Sequence, residues 1–321
     1  MLDVTDRHFN YVARLLSAST TLYSEMFVAK SLIFGNPGRL ITRGPVSGPV
    51  ALQLATDDPN ELQQAIRIAE PFGYSEINLN IGCPSDRVQA GNFGACLMNE
   101  PALVADLVCA AKETTTLPVT VKHRTGVDDN DSQAALLQFA HAVTAAGAER
   151  LIIHARKAWL QGLSPKQNRS VPPLQYERVH AVKHELPQQQ IELNGGLMNI
   201  AHAQEAASGL DGAMLGRAVA SDPFVLLAVD TPPLTGSELL TQLDAYLQTE
   251  LAAGTPLIAL TKRFIPLFAG WPGARYWRRF LTEAPQQSTN PAGAVFAAAQ
   301  QFPAERLAEP LVTGSVSTPA Q

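Results

Sequence analysis

The strongest constraint on how this chain can fold is an alternation along its length. Short apolar runs with the period of a strand are each followed by a stretch with the apolar spacing of a helix. The strand-like runs are "TLYSEM" (21–26), "VALQLA" (Val50–Ala55), "EINLNI" (Glu76–Ile81), "PVTVKHR" (118–124), "RLIIHAR" (150–156), "QIELNGG" (190–196) and "GAMLGR" (212–217). Between them lie "DPNELQQAIRIAEPFG", "NEPALVADLVCAAKET" and "DSQAALLQFAHAVTAAG". The first opens with Asp58 ahead of Pro59 and the last ends at Gly147, as capped helices do. Alternation of this kind implies α/β architecture, a parallel sheet covered by helices. Seven strands are one short of a closed (β/α)8 TIM barrel. The eighth should precede a helix expected over residues 6–17, where only five residues stand. The expected fold is therefore a TIM barrel whose first strand is missing or truncated, either open at one seam or starting late relative to its relatives.

After about Asp230 the pattern changes. "TPPLTG" reads as a linker, and helix-like segments follow without strands, so a small all-helical domain is expected. The resulting division is 1–230 for the barrel, 236–302 for the helical domain and 303–321 for a disordered tail ending in "VTGSVSTPAQ". No apolar run approaches the roughly 18 residues that a membrane span needs. The opening "MLDVTDRHFNY" is polar and carries acids, unlike a secretory signal. Three cysteines make no disulfide framework, and no Cys-x-x-Cys spacing suggests zinc. The expectations are a cytoplasmic protein with neither membrane nor metal. A net charge of −5 argues weakly against a nucleic-acid partner. Residues 261–280 argue the other way: they hold Lys262, Arg263, Arg275, Arg278 and Arg279 with no acid, interleaved with Trp271, Tyr276 and Trp277.

Barrel active sites lie at the carboxyl ends of the strands. Those ends carry Gln53, Asn80 with Cys83, Lys122, His154 with Arg156, Asn194-Gly195-Gly196, and Gly216-Arg217. The last two groups follow the seventh and eighth strand positions. Glycines there let backbone N–H groups approach a phosphate, and Arg217 adds charge. Each residue alone has a plainer explanation: Gln53 satisfying backbone, Lys122 on the surface, His154 structural, two glycines making a turn. Polar groups ending nearly every strand on one face favour a phosphate-bearing ligand. Among the cysteines, Cys83 lies in the loop just past the strand Glu76–Ile81, ahead of Pro84. Cys96 sits among apolar residues in "GACLMNE", and Cys109 reads as part of the apolar stripe of "ALVADLVCAAKE". Both of these are expected to be core side chains.

"NLNIGCPSDRVQAGNFGACLM", "PVTVKHRTGVDD", "IIHARKAWLQGLSPKQNR", "ELNGG" and "GAMLGR" resemble the pattern of the tRNA-dihydrouridine synthases. These are flavoproteins that reduce uridine in the D-loop of tRNA. "KQNRSVPPL" and "WPGARYWRRFL" are similar to the branch acting at tRNA positions 20 and 20a, and the resemblance spans roughly residues 1–281. It implies FMN as cofactor, NADPH as electron donor, tRNA as partner and a monomeric enzyme. Cys83 would be the proton donor to uracil C5 while hydride reaches C6, a task that suits an ordinary protonated thiol. Asn80 would meet the uracil edge of a nucleotide turned out of its stack. Gln53, Lys122 and His154 would contact the flavin, with Asn194, Gly195, Gly196, Gly216 and Arg217 at its phosphate. Arg156, Lys166, Arg169, Arg275 and Arg278 would meet tRNA. One departure concerns the first strand, which ends in Ala-Pro-Met in the family and of which only Met1 stands here. Met1 is counted with the flavin contacts. Two other readings stay open: an FMN barrel oxidoreductase of a small molecule, which leaves the basic segment unexplained, and a flavin-free tRNA-binding relative, motivated by the missing strand.

Overall fold

The computed structural model describes residues 1–85, 91–230, 234–287 and 293–313. Seven strands form one sheet in chain order: β1 (Leu22–Val28), β2 (Val50–Ala55), β3 (Glu76–Ile81), β4 (Val119–Arg124), β5 (Arg150–His154), β6 (Gln190–Asn194) and β7 (Gly212–Met214). Every neighbouring pair is parallel. These are the seven strands expected, with β7 shorter than its apolar run. Among the described residues no strand precedes the helix Arg7–Leu16. Sequential parallel pairing with helices in the crossovers is the architecture of a TIM barrel.

Local chemistry starts the helices where the sequence suggests. The Asp58 carboxylate accepts from the backbone N–H of Asn60 at 2.7 Å and opens the helix Pro59–Ala69. Ser132 caps Gln133–Ala145 through the N–H of Ala135 at 3.1 Å. The helix Pro101–Thr114 buries Val104, Leu107, Val108 and Ala111, a stripe of three- and four-residue steps. Cys109 lies off that stripe and is exposed, so it is not the core residue expected.

His123 is fully enclosed, its ring 4.8 Å from that of Phe139. Its Nδ1–H donates to the Arg124 carbonyl at 2.8 Å, while Nε2 has no partner. Burial, with Lys122 adding repulsion, pushes its pKa from 6.5 down to about 4. The folded state thus holds a neutral ring that the unfolded chain protonates first. The stability involved is complete above about pH 6.5 and is lost as pH falls toward about 4. Lowering the pH from 7 to 5 should cost about 2 kcal/mol through this residue. His154, also pushed well below its ordinary value, acts in the same direction. The unfolding free energies from urea titrations at the two pH values should therefore converge in His123→Leu by about that amount. An unchanged gap would remove His123 as the cause.

The chain divides into two compact units. The barrel unit comprises Met1–Asp3, Thr21–Arg43 and Pro49–Leu215; the second gathers Val4–Thr20, Gly44–Gly48 and the chain from Gly216 on. The first helix, expected with the barrel, thus belongs to the helical unit. Its Arg7 forks onto Glu250 at 2.9 and 2.6 Å, and its Tyr11 stacks on Tyr246 at 3.8 Å. Helices Gly236–Ala252, Leu257–Phe264, Ala274–Gln287 and Ala294–Ala299 pack around Phe264, Phe268, Trp277 and Leu281. Residues 303–313 are not the tail expected. Helix Ala304–Ala308 forms there, and Leu311 is buried, its N–H donating to the Leu234 carbonyl at 2.8 Å. The apolar Leu311 finds a core site that composition does not reveal. The remainder of the expected tail, 314–321, and 231–233 of the linker lie outside the described residues.

The basic segment divides in two. Arg263 is buried, with Nε and Nη2 on the Asp6 carboxylate at 3.0 and 2.6 Å, and Lys262 lies 3.8 Å from the same acid. Trp277 is a core residue whose indole N–H donates to the Phe264 carbonyl at 3.0 Å. Trp271 packs on Phe268 and Phe302. Arg275, Arg278 and Arg279 stay exposed along one helix.

Candidate active site

β3 delivers Asn80 to the carboxyl end of the barrel, and the chain turns there into the Cys83 loop. The Asn80 side chain holds that turn: Oδ1 accepts from the backbone N–H of Gly82 at 3.1 Å and of Cys83 at 3.0 Å. Nδ2 donates to Gln53 Oε1 at 2.8 Å. Both acceptor positions of the amide are therefore engaged, and one N–H is left for a ligand. Gln53, which is buried, is engaged at both ends, its Nε2 donating to Asn78 Oδ1 at 2.8 Å. Cys83 is half-buried, its Sγ 3.5 Å from Ser85 Oγ, and its carbonyl accepts from the Ala95 N–H at 2.9 Å. Cys96 is half-buried rather than fully in the core; its Sγ lies 3.2 Å from the Phe93 carbonyl, and burial pushes its thiol pKa up.

Neighbouring strands surround this loop with positive charge. Lys122, opposite Asn80 in the β3–β4 register, has its pKa pushed down to about 8 by burial and by Arg124, with Cys83 acting against them. His154 is buried, and desolvation joins Arg124, Lys122 and Arg156 in holding it well below its ordinary value. Its ring is neutral, and Nδ1 has no partner in the fold. Met1 lies within the influence of Glu25, Lys122, Arg169 and Cys83. Next to His154 across β5–β6 is Asn194, whose Nδ2 donates to the Met214 carbonyl at 2.7 Å. Gly195 and Gly196 follow at φ +112° and +70°, angles that a side chain disfavours. A Cβ on Gly195 would stand 3.2 Å from the His154 ring, and one on Gly196 would stand 2.5 Å from Leu174. Tyr176 fixes this turn by donating its hydroxyl to the Gly195 carbonyl at 2.7 Å.

Arg124 escapes a reading of the sequence. Buried at the end of β4, its guanidinium donates to the Gly82 carbonyl at 2.8 Å and to those of Lys157 and Asn168 at 3.0 Å. One side chain thus ties the Cys83 loop to the loop carrying Lys166 and Arg169. Burial pushes its pKa down to about 10, so it keeps its charge at neutrality. Asn168, fully buried, organises that second loop by accepting from the Trp159 N–H at 2.8 Å and donating to the Trp159 and Leu163 carbonyls. Its spacing from Lys122, two residues on the same strand face, was the available signal for Arg124; Asn168 and Tyr176 offered none. Lys166 and Arg169 are exposed, and Arg156 donates to the Pro172 carbonyl. Gly216 and Arg217 open the short helix Arg217–Ser221 and belong to the second unit.

A cysteine loop past β3, a lysine on β4, a buried histidine on β5 and a glycine turn after β6 end neighbouring strands of one sheet, and residues 1–302 match the family described as Dihydrouridine synthase. The chain belongs to that family. Curated relatives named tRNA-dihydrouridine(20/20a) synthase share 49% identity in Xanthomonas axonopodis pv. citri, over 88% of this chain and 86% of the relative. The Synechocystis sp. relative shares 45%, over 88% and 87%, and that of Escherichia coli strain K12 shares 46%, over 88% and 84%. Dihydrouridine synthases are flavin-dependent oxidoreductases. The residues here fit such a group: an orphaned Nδ1 on buried His154, a lysine and two arginines nearby, and a tight turn made by two consecutive glycines of positive φ. Among the described residues no group of three or more His, Cys, Asp or Glu could hold a metal ion, and no helix is long and apolar enough to cross a membrane.

Proposed function

We propose that this chain reduces uridine to 5,6-dihydrouridine at positions 20 and 20a of the tRNA D-loop, with FMN as cofactor and NADPH as electron donor. The observation that carries this reading is the Cys83 loop, held by Asn80 beside Lys122 and His154 in a chain of this family. When bound, reduced FMN supplies hydride to uracil C6. Cys83 Sγ–H gives its proton to C5 from within the same pocket, and the thiolate left behind regains a proton from solvent. Asn80, with one N–H to offer, suits a uracil carbonyl oxygen. Lys122 and His154 would hold the flavin ring, and the Gly195–Gly196 turn would direct backbone N–H groups at its phosphate. Uracil reaches the pocket only after leaving its stack.

Exposed cations suit the RNA: Lys166 and Arg169 on the barrel unit, and Arg275 and Arg278 on the helical unit. Phosphate contacts release condensed counterions. Arg275→Ala with Arg278→Ala should therefore weaken tRNA binding and flatten its dependence on salt by roughly two units of slope. Flavin content should not change. A parent-like slope would make these arginines a solvated surface. The activity itself is tested on a tRNA transcript with uridine at both positions, incubated with protein, FMN and NADPH. Dihydrouridine at 20 and 20a supports the reading, and its absence with full flavin loading would end it.

A further inference from the structure

A one-way ladder of hydrogen bonds runs through the barrel interior beneath Cys83. At its foot the Glu76 carboxylate is held by Arg150, which also lies 3.3 Å from Glu192. An ionised carboxylate only accepts. Thr120, buried, accordingly donates its single O–H to Glu76 Oε1 at 2.5 Å and turns a lone pair upward. Asn78, also buried, must then face it with Nδ2, at 2.8 Å, and offer Oδ1 to the next rung. Gln53 answers with Nε2 and presents Oε1, so Asn80 meets it with Nδ2. That leaves Asn80 Oδ1 for the N–H groups of Gly82 and Cys83. Carboxamides are nearly symmetric in shape, and packing alone does not choose between their two orientations. Each rung here fixes the next, and the ion pair at the foot sets the polarity of the whole column.

We propose that Thr120 and Asn78 are positioning residues for the Cys83 loop, because the ladder they belong to holds the Asn80 carboxamide oxygen against its backbone. The proposal rests on the uridine-reducing function above, in which Cys83 must meet uracil C5. Thr120→Val keeps the shape of the side chain and removes the hydroxyl. Asn78 Nδ2 then loses its acceptor, and the rungs above can turn. The expected result is a kcat for uridine reduction about tenfold lower, with KM for tRNA and flavin content at parent values. Thr120→Ser, which restores the hydroxyl, should restore kcat. Tyr23→Phe removes a different hydroxyl from Glu76 and leaves the ladder complete, so it should keep the parent kcat even if stability falls. A second readout needs no substrate: Cys83 alkylation by iodoacetamide, mapped by peptide mass, should quicken at least threefold in Thr120→Val while Cys96 keeps its rate. If Thr120→Val does not fold, Thr120→Ala takes its place with the same outcomes. A parent-like kcat and alkylation rate would overturn the ladder, as would equal losses of kcat, tRNA binding and flavin. A parent protein that alkylates normally yet reduces no uridine overturns the function, and the alkylation comparison still decides the ladder.

Discussion

Cys83→Ala should lower the rate of uridine reduction about a thousandfold, the range in which loss of a positioned general acid falls, and leave flavin content unchanged. The alanine keeps its backbone N–H, so the bond to Asn80 and the shape of the loop survive. On the proposed function, what disappears is the proton for C5, for which solvent would be a poor replacement in a half-buried site. Cys96→Ala is the comparison. Its sulfur meets the Phe93 carbonyl within a turn of its own, and its loss should cost packing stability with little effect on rate. Single-turnover reduction of a tRNA transcript by pre-reduced enzyme separates the two variants. Similar rates in both would move the proton donor to another residue.

Arg263→Ala should destabilise the helical unit by about 3 kcal/mol, because removing one member of a buried ion pair strands the other. Asp6 has two tasks in this unit. Its Oδ1 accepts from the Phe9 N–H at 2.9 Å and caps Arg7–Leu16, while both oxygens receive Arg263. Lys262, 3.8 Å away and half-exposed, is a weak substitute. Arg278→Ala on the exposed face should change stability by less than about 0.5 kcal/mol. Urea unfolding followed through the fluorescence of Trp271 and Trp277 reports on this unit. Equal midpoints for the two variants would mean that Asp6 finds another counter-charge.

β2 to β6 were legible because each combines β-branched or leucine-containing runs with turn residues near its ends, while β1 and β7 were placed mainly by the alternation itself. Cys83 was legible for a related reason: one residue of Gly and a following proline place it in the loop past β3. Arg124 was not, because its partners are carbonyls 42, 33 and 44 residues distant in the chain, and carbonyls leave no signature in side-chain identity. Arg263 misled in the opposite direction. Counting charge within a segment made it one of five free cations, while its acid lies 257 residues away. Cys109 erred by one position, since a neighbour on a helix is turned by about 100° and leaves the stripe. The double role of Asn80 was partly hidden too: its place at the strand end was clear, but its commitment to the Cys83 backbone depends on a turn that only the folded chain displays.

Arg124 carries one further consequence. Its three partners are neutral carbonyls, which neither titrate nor attract counterions. Salt acts on exposed charges and is screened out of a site this enclosed. On the proposed function, a polyanionic substrate would meet two kinds of positive charge that obey different rules. The exposed arginines would form a grip whose strength the ionic medium sets from moment to moment. The buried one is a fastener indifferent to that medium, so the two loops it ties keep their spacing whatever the salt.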